Sequence, residues 1–231
     1  MLLQHGFTGS PFSMKPWALA LNQAGCAVEV PRLPGHGTSW QDMNTTGWDH
    51  WLAESRAAVE RLLAANDAVV LGGLSMGGAL VLALGSEYAD RVSGVMVVNP
   101  AVSSTRFDVK LLPVLKYLIP ARSAIGNDIK KPGVDEHGYP KTPLKAAHSM
   151  MRAWPSVVAG LPGLTAPLLY FRSTVDHVVD ESSEPIILDR VGSTDVTMVR
   201  LDDSYHVATL DHDLPRIIEE SLGFIDRVTT A

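Results

Sequence analysis

Apolar positions along this chain switch between two periods. Short β-branched runs alternate with stretches in which apolar residues recur every three or four positions. MLLQH opens as a strand, and Met14 to Asn22 follows as a helix with Gly25 close to its end. CAVEVP predicts a second strand, Trp48 to Ala65 a helix, AVVLGGL a third strand and Met76 to Tyr88 another helix. VSGVMVVN predicts a fourth strand. APLLYFRS and VTMVRL predict two more, with a helix between them and a last helix from Leu214 to Val228. Strand and helix in alternation imply right-handed βαβ units. The fold class is therefore α/β, a mostly parallel sheet covered by helices on both faces.

The alternation breaks over residues 101–163, where no strand is evident. VKLLPVLKYLIP places Leu111, Leu112, Leu115, Leu118 and Ile119 on one helical face, with Pro113 in the first turn. IKKPGVDEHGYPKTP is a turn-rich connection, and LKAAHSMMRAWPSVV is helical again. This stretch reads as a small inserted cap on a core formed by residues 1–100 and 164–231. Leu111, Leu115, Leu118, Ile119, Met150 and Met151 are its candidate tunnel wall, although core packing would give the same pattern.

Composition narrows the function. Of 231 residues, 46% are hydrophobic and 19% charged, which suits one domain with a large core. The net charge of -6 argues against nucleic-acid binding. The single cysteine, Cys26, can form no internal bridge and reads as a small buried apolar residue. No apolar run has membrane-spanning length, and the start lacks the features of a signal peptide, so a cytoplasmic protein without stable membrane insertion is expected. Nothing in the pattern sets an oligomeric state.

The chemistry concentrates at LGGLSMGGAL, where glycines bracket Ser75. The run AVVLGGL stops at this serine and a helix-forming run begins. A turn that sharp strains its middle residue and needs Gly73 and Gly77 on either side. It exposes the serine hydroxyl at the carboxyl edge of the sheet. A serine hydroxyl is a weak nucleophile and needs a base, which needs an orienting acid. His206, in DDSYHVATLD after the strand VTMVRL, is the candidate base. His212 reads as a surface or capping residue, His50 and His148 as helical, and His36 as a turn residue. Asp176 and Asp180 both follow APLLYFRS. Asp176 comes first and has room to face the site, whereas Asp180 precedes ESSEPIIL and reads as a helix cap. The chain order is nucleophile, acid, base. The Met76 backbone N–H and a donor in HGFTGSP, assigned to Phe7, would form an oxyanion hole. No zinc-protease helix motif, phosphate loop or dinucleotide fingerprint is present, so no metal and no organic cofactor is expected.

HGFTGSP, PRLPGHGT, GLSMGG, VDHVVD and SYHVATLD together resemble the α/β-hydrolase superfamily, and within it the bacterial carboxylesterase and monoacylglycerol lipase-like family. The motifs span nearly the whole chain in that family's order. The resemblance implies Ser75 as nucleophile, Asp176 and His206 as its partners, and Phe7 and Met76 as oxyanion donors. It implies cleavage of a small lipid ester through an acyl-enzyme. It also assigns Glu136 to the glycerol hydroxyls and Ile125 to the pocket wall; from the residues alone, Glu136 is a solvated cap residue and Ile125 plain cap packing. Only Met1 to Gln4 precede the HG motif, so N-terminal strands are expected to be missing. The same triad would serve a general short-chain carboxylesterase, a thioesterase or a C–C bond hydrolase. A reading from another class is an inactive fragment or a non-catalytic ligand-binding protein.

Overall fold

The computed structural model describes residues 1–107 and 111–230. Five parallel strands form the central sheet in the order β1 (Leu2–Gln4), β2 (Val70–Leu74), β3 (Gly94–Val98), β6 (Leu168–Ser173), β7 (Val196–Leu201). β1, β2, β3 and β6 are buried throughout because their two faces lie under different helix layers, whereas the edge strand β7 is partly exposed. Leu3, Val70, Met96, Val98, Leu169 and Phe171 point to one face. There they pack with Trp17 and Leu21 of α1 (Lys15–Gln23) and with Ile217 and Phe224 of the last helix, Leu214–Thr229. Leu2, Leu71, Val95, Val97, Leu168 and Tyr170 point to the other. That face meets α3 (Trp48–Ala65) and α4 (Met76–Glu87), while a one-turn α2 (Trp40–Met43) precedes α3.

Most of the expected elements form near their expected limits, but CAVEVP does not form a strand. Only Glu29 bridges to Leu2, through Leu3 N–H to the Glu29 carbonyl (2.9 Å) and Glu29 N–H to the Met1 carbonyl (2.8 Å). One bridge fixes a crossing point but makes no ladder.

Residues 101–163 contain α5 (Leu112–Leu118), a two-stranded antiparallel pair β4 (Ala121–Ser123) and β5 (Lys141–Pro143), and α6 (Leu144–Gly160). The strand pair was not evident from the sequence. Its strands, ARS and KTP, have three residues each and carry no alternating apolar pattern. Leu112 is buried against Leu144 and Ala147, but Leu118 and Ile119 are exposed. Met150, Trp154 and Val157 of α6 join the main core. After β6, α7 (Ser183–Arg190) leads to β7, and α8 (Leu214–Thr229) closes the chain. Among the described residues, no helix is long and apolar enough to cross a membrane.

Candidate active site

Ser75 sits between β2 and α4 with φ 55° and ψ -117°. A side chain rarely adopts this left-handed backbone, and it persists only where the surroundings enforce it. Here Ser75 N–H donates to the Val98 carbonyl (2.9 Å), and Ala101 N–H donates to the Ser75 carbonyl (3.2 Å). The bracketing glycines are required sterically. A Cβ on Gly73 would stand 2.3 Å from the Gly77 carbonyl oxygen, and one on Gly77 would stand 2.1 Å from that of Gln4. Ser75 is almost fully buried and its hydroxyl does not cap α4. Met76 is the first residue of that helix, where backbone N–H groups lack intrahelical partners.

The HGFTG loop lies directly against this serine. A Cβ on Gly6 would come within 3.4 Å of Ser75 Cβ and 4.0 Å of its Oγ. His5 anchors the loop from below. Leu33 N–H donates to His5 Nε2 (3.3 Å), so Nδ1 carries the proton and donates to the Gly6 carbonyl (3.0 Å). Burial, together with the neighbouring His36 charge, pushes the His5 pKa down to about 3. His36 lies in a turn, as expected, with its N–H donating to the Leu33 carbonyl (3.0 Å), and it is fully buried. Its ring packs edge-on against His5, Phe7 and Trp51, and burial lowers its pKa to about 4.

Across the sheet edge, His206 Nδ1 donates to Asp176 Oδ2 at 3.0 Å. Asp176 Oδ2 also accepts from Arg172 Nη1 (2.8 Å), and its Oδ1 accepts from the N–H groups of Val178 and Val179, both at 2.9 Å. The Asp176 side chain has no exposed surface. Burial raises its pKa, but the His206 charge and these hydrogen bonds outweigh that, holding the carboxyl down at about 2. For His206, burial opposes the charged form. The Asp176 charge and hydrogen bond prevail, with Glu136 and Asp128 adding to them, and raise the imidazole pKa above its ordinary value. Asp180 is engaged elsewhere. It accepts from Ser182 N–H (3.0 Å) and Thr105 N–H (2.7 Å), tying the start of α7 to residues 104–105.

Ser75, His206, Phe7, Ile125 and Glu136 all line one cavity of about 170 Å³. Met150, Met151 and Trp154 line it as well, whereas Leu111, Leu115, Leu118 and Ile119 do not. Of the six residues expected to form a tunnel wall, only Met150 and Met151, both on α6, line this cavity. Glu136 is half-buried instead of solvated: its Oε1 accepts from Asn127 N–H (3.2 Å), and its own N–H donates to Asn127 Oδ1 (2.8 Å). Burial raises the Glu136 pKa despite the Asn127 bond. Among the described residues, no group of three His, Cys, Asp or Glu side chains is placed to hold a metal.

Three supporting residues were not identified from the sequence. Arg172 neutralises Asp176, and only their four-residue spacing hinted at the pair. Asn99, at φ 46°, donates to the His206 carbonyl and to Ser173 Oγ, both at 2.9 Å. Asp128 accepts from His206 N–H at 3.2 Å.

The Hydrolase_4 family, described as serine aminopeptidase, S33, matches residues 1–213. The chain belongs to this family. It is 40% identical over 229 residues to the thermostable monoacylglycerol lipase of Bacillus sp. strain H-257, covering 97% of this chain and 89% of that one. It is 23% identical over 229 residues to a carboxylesterase of Bacillus subtilis strain 168, covering 99% and 92%. A solved structure reported for LipS and LipT, two metagenome-derived lipolytic enzymes, superposes with a TM-score of 0.94 at 38% identity. That match covers 98% of this chain and 92% of the other. The fold of this Hydrolase_4 member is the α/β-hydrolase fold.

Proposed function

We propose that this protein is a serine hydrolase of carboxylic esters and that monoacylglycerols, cleaved to fatty acid and glycerol, are its main substrates. The observation that carries this reading is the His206–Asp176 bond at a cavity that Ser75 also lines, with Ser75 held in a left-handed turn. Likeness to a monoacylglycerol lipase and a carboxylesterase supports the ester class.

With Nδ1 donating to Asp176, neutral His206 offers Nε2 as the base. It takes the proton from Ser75 Oγ as that oxygen attacks the ester carbonyl. The oxyanion forms beside Gly6 and the start of α4, where the N–H groups of Phe7 and Met76 would receive it. The imidazolium, stabilised by Asp176, returns its proton to the departing glycerol oxygen. Water then attacks the acyl-enzyme by the same route. The acyl chain would lie against Met150, Met151, Trp154 and Ile125, with each buried methylene contributing roughly 0.8 kcal/mol. Glu136 is the candidate for the glycerol hydroxyls. Residues 101–163 would act as the cap that sets chain-length preference, and the setting would be cytoplasmic.

Labelling by a fluorophosphonate tests the nucleophile directly. Wild-type protein should be modified at Ser75, and Ser75→Ala should not be. Wild-type protein that resists labelling would instead be a non-catalytic binder. Glu136→Ala should raise KM for 1-lauroylglycerol about 10-fold while leaving p-nitrophenyl butyrate nearly unchanged. Equal losses on both substrates would remove the glycerol role.

A further inference from the structure

Asp128 lies between β4 and β5, three residues beyond the pocket residue Ile125, and its side chain is 10% exposed. It touches both loops that carry the candidate acid and base. Its Oδ2 accepts from His206 N–H (3.2 Å) and from His177 N–H (3.1 Å), the residue next to Asp176. Its Oδ1 faces His177 Nδ1 at 2.7 Å, and its backbone carbonyl accepts from Val207 N–H (3.1 Å). The contact continues along the chain. Lys130 N–H and Lys131 N–H donate to Asp211 at 2.6 and 2.9 Å, and the same carboxylate accepts from Tyr205 N–H at 2.9 Å. On its other side, Asn127 holds Glu136.

We propose that Asp128 is a positioning residue for the ester hydrolysis: its carboxylate fastens residues 125–131 to the loops of Asp176 and His206 and holds the His206 imidazole in place. This rests on the reading of His206 as the base. One carboxylate accepting two backbone N–H groups is a charge-assisted fastening, stronger than neutral bonds, and it leaves neither N–H unpaired. An imidazole displaced by an ångström would lose its line to Ser75 Oγ. Asp128 also adds negative charge near His206, together with Asp176 and Glu136, while Arg172 sits behind Asp176 and His177 faces Asp128. That charge favours the imidazolium formed during the reaction. The pocket residue Ile125 and the glycerol candidate Glu136 flank the same fastening, so seating of the cap and alignment of the base are one arrangement.

The test compares the full chain with Asp128→Ala, Asp128→Asn and His206→Ala on 1-lauroylglycerol and p-nitrophenyl butyrate. Asp128→Ala should lower kcat about 10- to 100-fold on both substrates with KM changed less than about 3-fold. Asp128→Asn keeps an acceptor for the backbone N–H groups, so it should recover most of kcat. Having lost the charge, it should move the acid limb of kcat/KM to lower pH. Wild-type kcat in Asp128→Ala beside an inactive His206→Ala overturns the proposal and leaves the triad reading intact. An active His206→Ala overturns the triad reading itself. Should Asp128→Ala fail to fold by circular dichroism, an acid limb unmoved in Asp128→Asn overturns the proposal.

Discussion

The reactivity proposed for Ser75 depends on a few charges held out of water. Removing its hydroxyl should lower kcat by about 10⁴- to 10⁶-fold, and His206→Ala should cost a similar amount because the groups act as a unit. Asp176→Asn should cost up to about 10⁴-fold through the wrong His206 tautomer. Asp180→Asn, whose carboxylate binds Ser182 and Thr105, should stay within about 10-fold of wild type. A near-active Asp176→Asn beside a dead Asp180→Asn would exchange their roles. The pH profile follows from the same charges. His206 must be neutral to act as base, and its pKa is raised by Asp176, Glu136 and Asp128 against burial. The acid limb of kcat/KM should therefore lie above the ordinary histidine value of about 6.5. A limb below that value would contradict this electrostatic account.

Between β2 and α4, the local sequence determines the geometry. Gly77→Ala would drive a Cβ to 2.1 Å from the Gln4 carbonyl oxygen, which belongs to β1 and cannot swing away. We expect it to destabilise the fold by about 1–3 kcal/mol or more and to slow labelling of Ser75, both measurable by urea titration and fluorophosphonate kinetics. A fully stable, normally labelled Gly77→Ala would show that this approach is not tight. This turn was legible in the sequence because a strand pattern, a Gly-bracketed serine and a helix pattern meet within ten residues. The candidate acid and base were legible because each follows a clear strand. Asp128 was not: its partners His177 and His206 are 49 and 78 positions away, a separation that no periodicity encodes. The β4–β5 pair was hidden by its shortness. Of the apolar stripe expected at α5, only Leu112 is buried, while Leu111, Leu118 and Ile119 are exposed, since periodicity identifies a face without naming what covers it.

Across the whole molecule, acid should unfold this protein earlier than its carboxylates alone would dictate. His5 and His36 are buried neutral, with pKa values pushed down to about 3 and about 4. In the unfolded chain they titrate near 6.5. Stability from their neutral forms is present above that value and is lost as pH falls toward 4 and then 3. Asp176, held at about 2, adds a further loss below its unfolded value of 3.8. His206 acts in the opposite sense: its contribution is complete below 6.5 and fades as pH rises through its raised pKa. The urea midpoint should therefore fall steadily between pH 6.5 and 4.5, and a constant midpoint over that range would show that the two histidines are not held neutral.

The most direct test of the central claim is hydrolysis of 1-lauroylglycerol against p-nitrophenyl butyrate by the wild-type chain and by Ser75→Ala. Turnover that favours the glyceride and vanishes with the serine is the predicted result. Turnover of the aryl ester alone would contradict the monoacylglycerol assignment, and hydrolysis that survives in Ser75→Ala would contradict the serine mechanism.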